Sequence, residues 1–175
     1  MQRLKSCRLI PTLVVGSALL SGGPSYGQQQ SPREQLTGTW GFVVTAGHRQ
    51  DGTKFDIFGP EPNGVLMFQS DGHFVLINTK PGRPKYAGGN RAKGTPEEFE
   101  TTVQGTIAYF GTYTVDEGQK AFTLKIKGST FPNYEGTEQV RPFIIVGDEL
   151  RSINPSPTTG GPPLDLVLRR LKQAR

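Results

Sequence analysis

From residue 39 onward, apolar side chains recur at every second position, in runs that pair up around short turns. Residues 39–47 alternate through Trp40, Phe42 and Val44, and the runs 64–69 and 73–78 enclose Ser-Asp-Gly, whose last two residues tolerate the backbone angles of a tight hairpin. Runs 106–115 and 120–127 meet around Asp-Glu-Gly-Gln, runs 137–146 and 149–153 meet around Gly-Asp-Glu, and a final run occupies 164–171. A short strand near Phe55 and Ile57 brings the count to eight or nine strands in sequential hairpins. A period of two gives each strand one apolar face. A meander of such strands is simplest when it closes, because closure removes its unpaired edges. The expected fold class is therefore all-β: an up-and-down antiparallel barrel of eight to nine strands with one short helix. A barrel of that size is just wide enough inside for packed side chains or one small ligand.

The helix is 95–105. Thr95 is its cap, Pro96 takes the first helical position, and Glu97 and Glu98 stand in the first turn, where the helix dipole favours acids. Before it, 78–94 is rich in Gly, Pro and basic residues and has no period. A loop this long in a tight meander is expected to be functional, and 80–94 is expected to form a lid over the barrel.

The first 27 residues read differently from the rest. Arg3, Lys5 and Arg8 precede the apolar stretch Leu9–Leu20, followed by Ser21, Gly22 and Gly23, the three regions of a secretory signal. Cleavage is expected near Gly27, leaving 28–35 as a short linker and 36–172 as the barrel domain, with a secreted or periplasmic location. The apolar stretch is too short to span a bilayer, so no transmembrane segment is expected after cleavage. Cys7 is the only cysteine and precedes that stretch. The mature chain would then be held by core burial alone. It would carry 17 basic against 15 acidic residues, since all three charges of the signal are basic. So near-neutral a chain offers a nucleic acid no general attraction. The basic run 169–175 is read as a solvated tail after the last strand rather than an anionic-surface site. Nothing in the sequence sets an oligomeric state.

Parity selects the residues that face inward. If Tyr109 and Tyr113 face the interior, Thr112 and Thr114 face solvent, and Leu124 must point inward because Lys125 and Lys127 would otherwise be buried. On 137–146 the face that carries Phe143 also carries Gln139 and Arg141. An arginine inside a barrel needs a partner or a wet cavity. Two readings stand. In one, Arg141, Gln139, Tyr109 and Tyr113, with Phe143 and Leu124 as apolar wall, bind the carboxylate or carbonyl end of a small hydrophobic or amphipathic molecule. In the other, Arg141 bonds to backbone carbonyls of the loop 128–136 and the tyrosines fill the barrel.

Catalytic templates are missing from the chain. His48 and His73 have no third residue spaced as a zinc ligand, no nucleophile elbow occurs, and the Gly/Pro loops at 59–64 and 158–163 lack the Lys-Ser of a phosphate cradle. No catalytic residue, metal site or cofactor is assigned. The favoured reading is a binder of a small, mainly hydrophobic molecule. An isomerase or cyclase that orients a flexible substrate in the same Tyr/Arg/Gln pocket is the alternative, and an interaction module built on a filled barrel is another.

Gly38-Thr39-Trp40 at the first strand, with Arg169 and Arg170 on the last, resembles the calycin and lipocalin pattern. That resemblance implies Trp40 as a plug of one barrel end, with Arg169 or Arg170 packed over its ring. The segments GTPEEF at 94–99, AYFGTYTVD at 108–116 and GSTFPNYEGTEQVRPF at 128–143 are similar to the lipocalin-like domain family, mostly bacterial proteins named for their fold. The similarity spans nearly all of 35–171. Tyr134 stands where that family would lead one to expect Trp. The family brings no agreed catalytic residues, and what it implies is the barrel.

Overall fold

The computed structural model describes residues 30–172. The signal expected over 1–27 and the end of the basic tail lie outside the described residues. Two helices and nine strands follow in chain order: α1 (Pro32–Leu36), β1 (Gly38–His48), β2 (Lys54–Asp56), β3 (Asn63–Phe68), β4 (His73–Thr79), α2 (Pro96–Gln104), β5 (Thr106–Asp116), β6 (Ala121–Ser129), β7 (Glu138–Val146), β8 (Glu149–Asn154) and β9 (Leu164–Arg170). A single 3-10 turn, Pro132–Tyr134, joins β6 to β7.

Every strand is antiparallel to its neighbours, and β9 returns to pair with β1. Eight strands thus close the barrel, while β2 hydrogen-bonds to the last three residues of β1 as a flanking ninth. The hairpin turns are as the sequence leads one to expect. Gly72 takes φ +91° in the β3–β4 turn and Gly147 takes φ +57° between β7 and β8, angles that a side chain resists.

Two points correct the sequence reading. The stretch 28–35, expected as a linker, contains most of α1. Ser31 and Glu34 form a reciprocal capping box around it and Pro32 occupies its first turn, so the chain has two short α-helices where one was expected. The second correction is in β1, where the pairing with β9 shifts between Phe42 and Val44. That bulge breaks the alternation. Val43 is turned out to solvent, Val44 is only part-buried, and Thr45 is buried in its place.

One end of the barrel is solid. Leu36 of α1 is fully buried there with Trp40, whose Nε1 donates to the Leu36 carbonyl oxygen at 2.8 Å. Arg170, the cross-strand partner of Trp40, lies with Cζ 4.1 Å from the centre of the indole ring, and its guanidinium donates to the carbonyl oxygens of Thr37 and Gln35. Gly38 makes room for it: at φ +132°, a Cβ would stand 2.9 Å from Arg170 Nη1. Arg169 does not share the role; it is exposed on the opposite face of β9. Edge-to-face rings of Phe68, Tyr113 and Phe122, centroids 4.8 and 5.1 Å apart, continue the packing upward.

Candidate functional site

The other end of the barrel is hollow. A cavity of about 550 Å³ opens between the distal halves of the strands, so the barrel is not filled, contrary to the premise of an interaction module with a solid interior. Its walls are mostly apolar, with Phe42, Leu76, Ile107, Leu164 and Leu166 facing one another. Tyr109 and Arg141 form part of its lining, and three aromatic rings shape one wall: Tyr134 meets Tyr109 and Phe131 edge-on, at 5.6 and 5.2 Å between centroids. The Tyr134 hydroxyl donates to the Ser156 carbonyl oxygen, which ties the 3-10 turn to the β8–β9 connection.

Arg141 is the chemical centre of this site. It is fully buried. Its Nη2 donates to the Tyr109 hydroxyl at 2.9 Å and to Gln139 Oε1 at 2.6 Å. Its Nε and Nη1 have no partner, and among the described residues no carboxylate comes within ion-pair distance of it. A guanidinium cannot shed its proton to escape burial, so the cavity lining contains a fixed, uncompensated positive charge. Burial pushes the Tyr109 phenol above its ordinary value, against the pull of the Arg141 charge. The phenol therefore stays neutral, accepts from Arg141, and retains its own proton for a further acceptor. The partners of Arg141 are side chains, so the alternative in which it bonds to the backbone of 128–136 is not the arrangement found.

The structure brings some of the expected site residues together and separates others. Tyr109 and Arg141 line the cavity, and Gln139 braces Arg141 from the same strand. Tyr113, Leu124 and Phe143 face inward as parity requires, but they are absent from the lining and belong to the packed core. The Tyr113 hydroxyl donates to the Gln69 carbonyl oxygen beside the β3–β4 turn, and Phe143 packs on Phe122 at 5.6 Å. Parity gives the face of a strand and not the height at which the barrel becomes hollow.

The mouth also departs from expectation. Residues 80–94 do not line the cavity and form no lid over it; they are strapped to the outside of α2. Tyr86 donates to Thr102 Oγ1 at 3.1 Å, and the Ala87 amide donates to Glu98 Oε1 at 2.7 Å. The rim consists instead of Val103 and Gln104 at the end of α2, Ile57 and Phe58 after β2, and Thr158 and Thr159 between β8 and β9. Sequence reasoning missed these, together with Thr45, Asn78 and Phe131. A valine in the last turn of a helix whose other large apolar residue is Phe99 was the available signal for Val103. The two histidines stand apart, His48 at 2.9 Å from Asp165 and His73 at 3.1 Å from Asp71.

Among known proteins, one family description agrees with this architecture. The family described as the lipocalin-like domain matches residues 37–160. The 4'-hydroxy-3'-methoxypropiophenone carrier protein of Aspergillus oryzae is 30% identical over 89 residues, which cover 46% of this chain and 80% of that protein. Among solved structures, a lipocalin-like protein from Bacteroides uniformis aligns over 78% of this chain and 99% of its own at 15% identity, with a TM-score of 0.43. A redesigned beta barrel aligns over 81% and 96% at 16% identity, also with a TM-score of 0.43. With a closed eight-stranded barrel and a family match over most of its length, the chain belongs to the lipocalin-like domain family.

Proposed function

We propose that this protein is an exported carrier of a small, mainly hydrophobic molecule whose carboxylate or carbonyl end sits against Arg141 and Tyr109. The observation that carries this reading is the buried guanidinium of Arg141, without a counter-ion, in the lining of an apolar cavity. A charge taken out of water and left unpaired is unfavourable. An acceptor oxygen on the ligand would relieve that penalty, and apolar walls would bury the remainder of the molecule. The cavity volume falls within the range of roughly 300–1,000 Å³ common for small-molecule sites. The Aspergillus oryzae relative is by name a carrier of an aromatic ketone, and a ketone oxygen is one of the acceptors that Arg141 and Tyr109 suit. Export rests on the basic, apolar and small-residue order of 1–27.

Native mass spectrometry of the protein purified from its own host tests both parts. The expected result is a chain that starts near residue 28 and releases a small molecule on denaturation, with the molecule absent from Arg141→Met. An empty wild-type protein that also takes up neither a fluorescent fatty acid nor 4'-hydroxy-3'-methoxypropiophenone would overturn the carrier reading. An uncut N-terminus would overturn export.

A further inference from the structure

The cavity wall contains a second polar group that the carrier reading leaves unused. Asn78 is buried on the inner face of β4, 1% exposed, and its Oδ1 has no partner. Its Nδ2 donates to Thr45 Oγ1 at 3.1 Å, which carries the side chain past β3 to β1. Gly64 makes that reach possible. It is the cross-strand partner of Asn78, and a Cβ there would stand 2.4 Å from the Ile77 carbonyl oxygen and 2.7 Å from Asn78 Oδ1. Thr45 in turn is inward only because of the bulge at 42–44. The close β3–β4 approach at Gly64 and the bulge in β1 thus leave room for one half-satisfied amide in the cavity lining. A leucine of nearly the same size would fill the position without leaving an amide oxygen stripped of water, a loss that burial does not repay.

The register sets its height. Leu76 is level with Tyr109, and Asn78 is level with Ile107. Asn78 therefore lies one inward residue nearer the mouth than Tyr109, about 7 Å along the strand. The chemistry of the partner follows from the surroundings. An unpaired amide oxygen calls for a donor. No Asp or Glu lines the cavity and Arg141 is a fixed positive charge, so an ammonium donor would be buried without compensation. A hydroxyl is neutral, donates to Asn78 Oδ1, and can accept from the Thr45 hydroxyl, whose own proton the bond from Asn78 leaves free. It is also the group that satisfies the amide in either orientation of its oxygen and nitrogen.

We propose that Asn78, held by Thr45 across Gly64, is a hydroxyl-recognition point, and that the ligand is a hydroxylated organic acid or ketone: acceptor oxygen at Arg141 and Tyr109, apolar body between the walls, hydroxyl nearer the mouth against Asn78. This rests on the carrier reading above and adds the ligand's second polar end.

Calorimetric titration of the protein, freed of bound molecules, with cinnamate and with its three ring-hydroxylated isomers tests it. At least one isomer is expected to bind about tenfold or more tightly than cinnamate, the scale of one buried hydrogen bond between neutral groups. Asn78→Leu and Thr45→Val are each expected to bring that ratio close to one. Equal binding of cinnamate and all its hydroxylated forms would overturn the proposal while leaving the carrier reading intact, and so would a ratio that survives in Asn78→Leu with an unchanged circular dichroism spectrum. If Asn78→Leu fails to fold, Thr45→Val, which conserves shape, decides by the same ratio. Failure of all four acids to bind the wild-type protein would overturn the proposal, and the carrier reading falls with it only if neither the fluorescent fatty acid nor 4'-hydroxy-3'-methoxypropiophenone is taken up.

Discussion

At the scale of single residues, Arg141 and Gln139 are coupled through a charge that has too few acceptors. Gln139 Oε1 is one of two acceptors for the buried guanidinium. Removing it strands more of that charge, so Gln139→Leu is expected to cost about 1–3 kcal/mol. Arg141→Met loses two hydrogen bonds and leaves Gln139 unpaired, but it also removes an uncompensated buried charge; its net effect should lie within about 1 kcal/mol of wild type. The double variant should then be more stable than Gln139→Leu alone. Urea unfolding midpoints, compared at equal slopes, measure the coupling. A large loss in Arg141→Met with unchanged ligand uptake would show the arginine to be structural.

At the scale of elements, α2 and the strap 80–94 act as one unit, because Glu98 serves two masters. One carboxylate oxygen closes the capping box on the Thr95 amide and the other accepts from the Ala87 amide of the strap. Those two bonds, Ala87 first, hold the Glu98 carboxyl below its ordinary value of 4.5. A depressed acid stabilises the folded arrangement above its unfolded-state value and ceases to do so as pH falls through the folded one. The strap should therefore be fixed to α2 above about pH 4.5 and loosen progressively below it. Amide hydrogen exchange at Ala87 and Thr95 across that window reads the change, and Glu98→Gln should show the loosened pattern at neutral pH. The helix itself was legible in the sequence from Thr95, Pro96 and the two glutamates. Helix α1 carried the same signature in Ser31, Pro32 and Glu34, but so short a segment beside the expected cleavage site reads as a linker until the barrel end that it plugs is in view.

At the scale of the whole molecule, the barrel divides into a solid half and a hollow half, and the two should respond differently to mutation. The solid end is closed by Trp40 and Arg170, whose guanidinium covers the indole and ties down the carbonyls of Thr37 and Gln35. Arg170→Met is expected to cost about 1–2 kcal/mol, whereas Arg169→Met, on the exposed face of the same strand, should be close to neutral; thermal unfolding of the pair discriminates them. Trp40 is the only tryptophan, is fully buried and is not part of the cavity lining. Its emission maximum should hold its place when the cavity is emptied and move to the red only when the barrel unfolds as a unit.

The sequence by itself determined the strands, their order along the chain and, except beyond the bulge in β1, their inward faces. Period-two patterning is a local property, and a lysine next to a leucine settles which face is dry without reference to the rest of the chain. It also singled out Arg141, because an arginine on an apolar face is anomalous wherever it is read. Height within the barrel, by contrast, depends on register and on how strands tilt around the closed sheet, and no single strand contains that information. For this reason Tyr113, Leu124 and Phe143 share a face with the site yet pack in the solid half, while Phe131 and Tyr134 reach the cavity from a loop. The bulge that turns Thr45 inward arises from pairing with β9, more than 110 residues later. Only the closed barrel turns Thr45 inward toward Asn78 and leaves Arg141 without a counter-ion, since each depends on what strands distant in the chain supply or fail to supply.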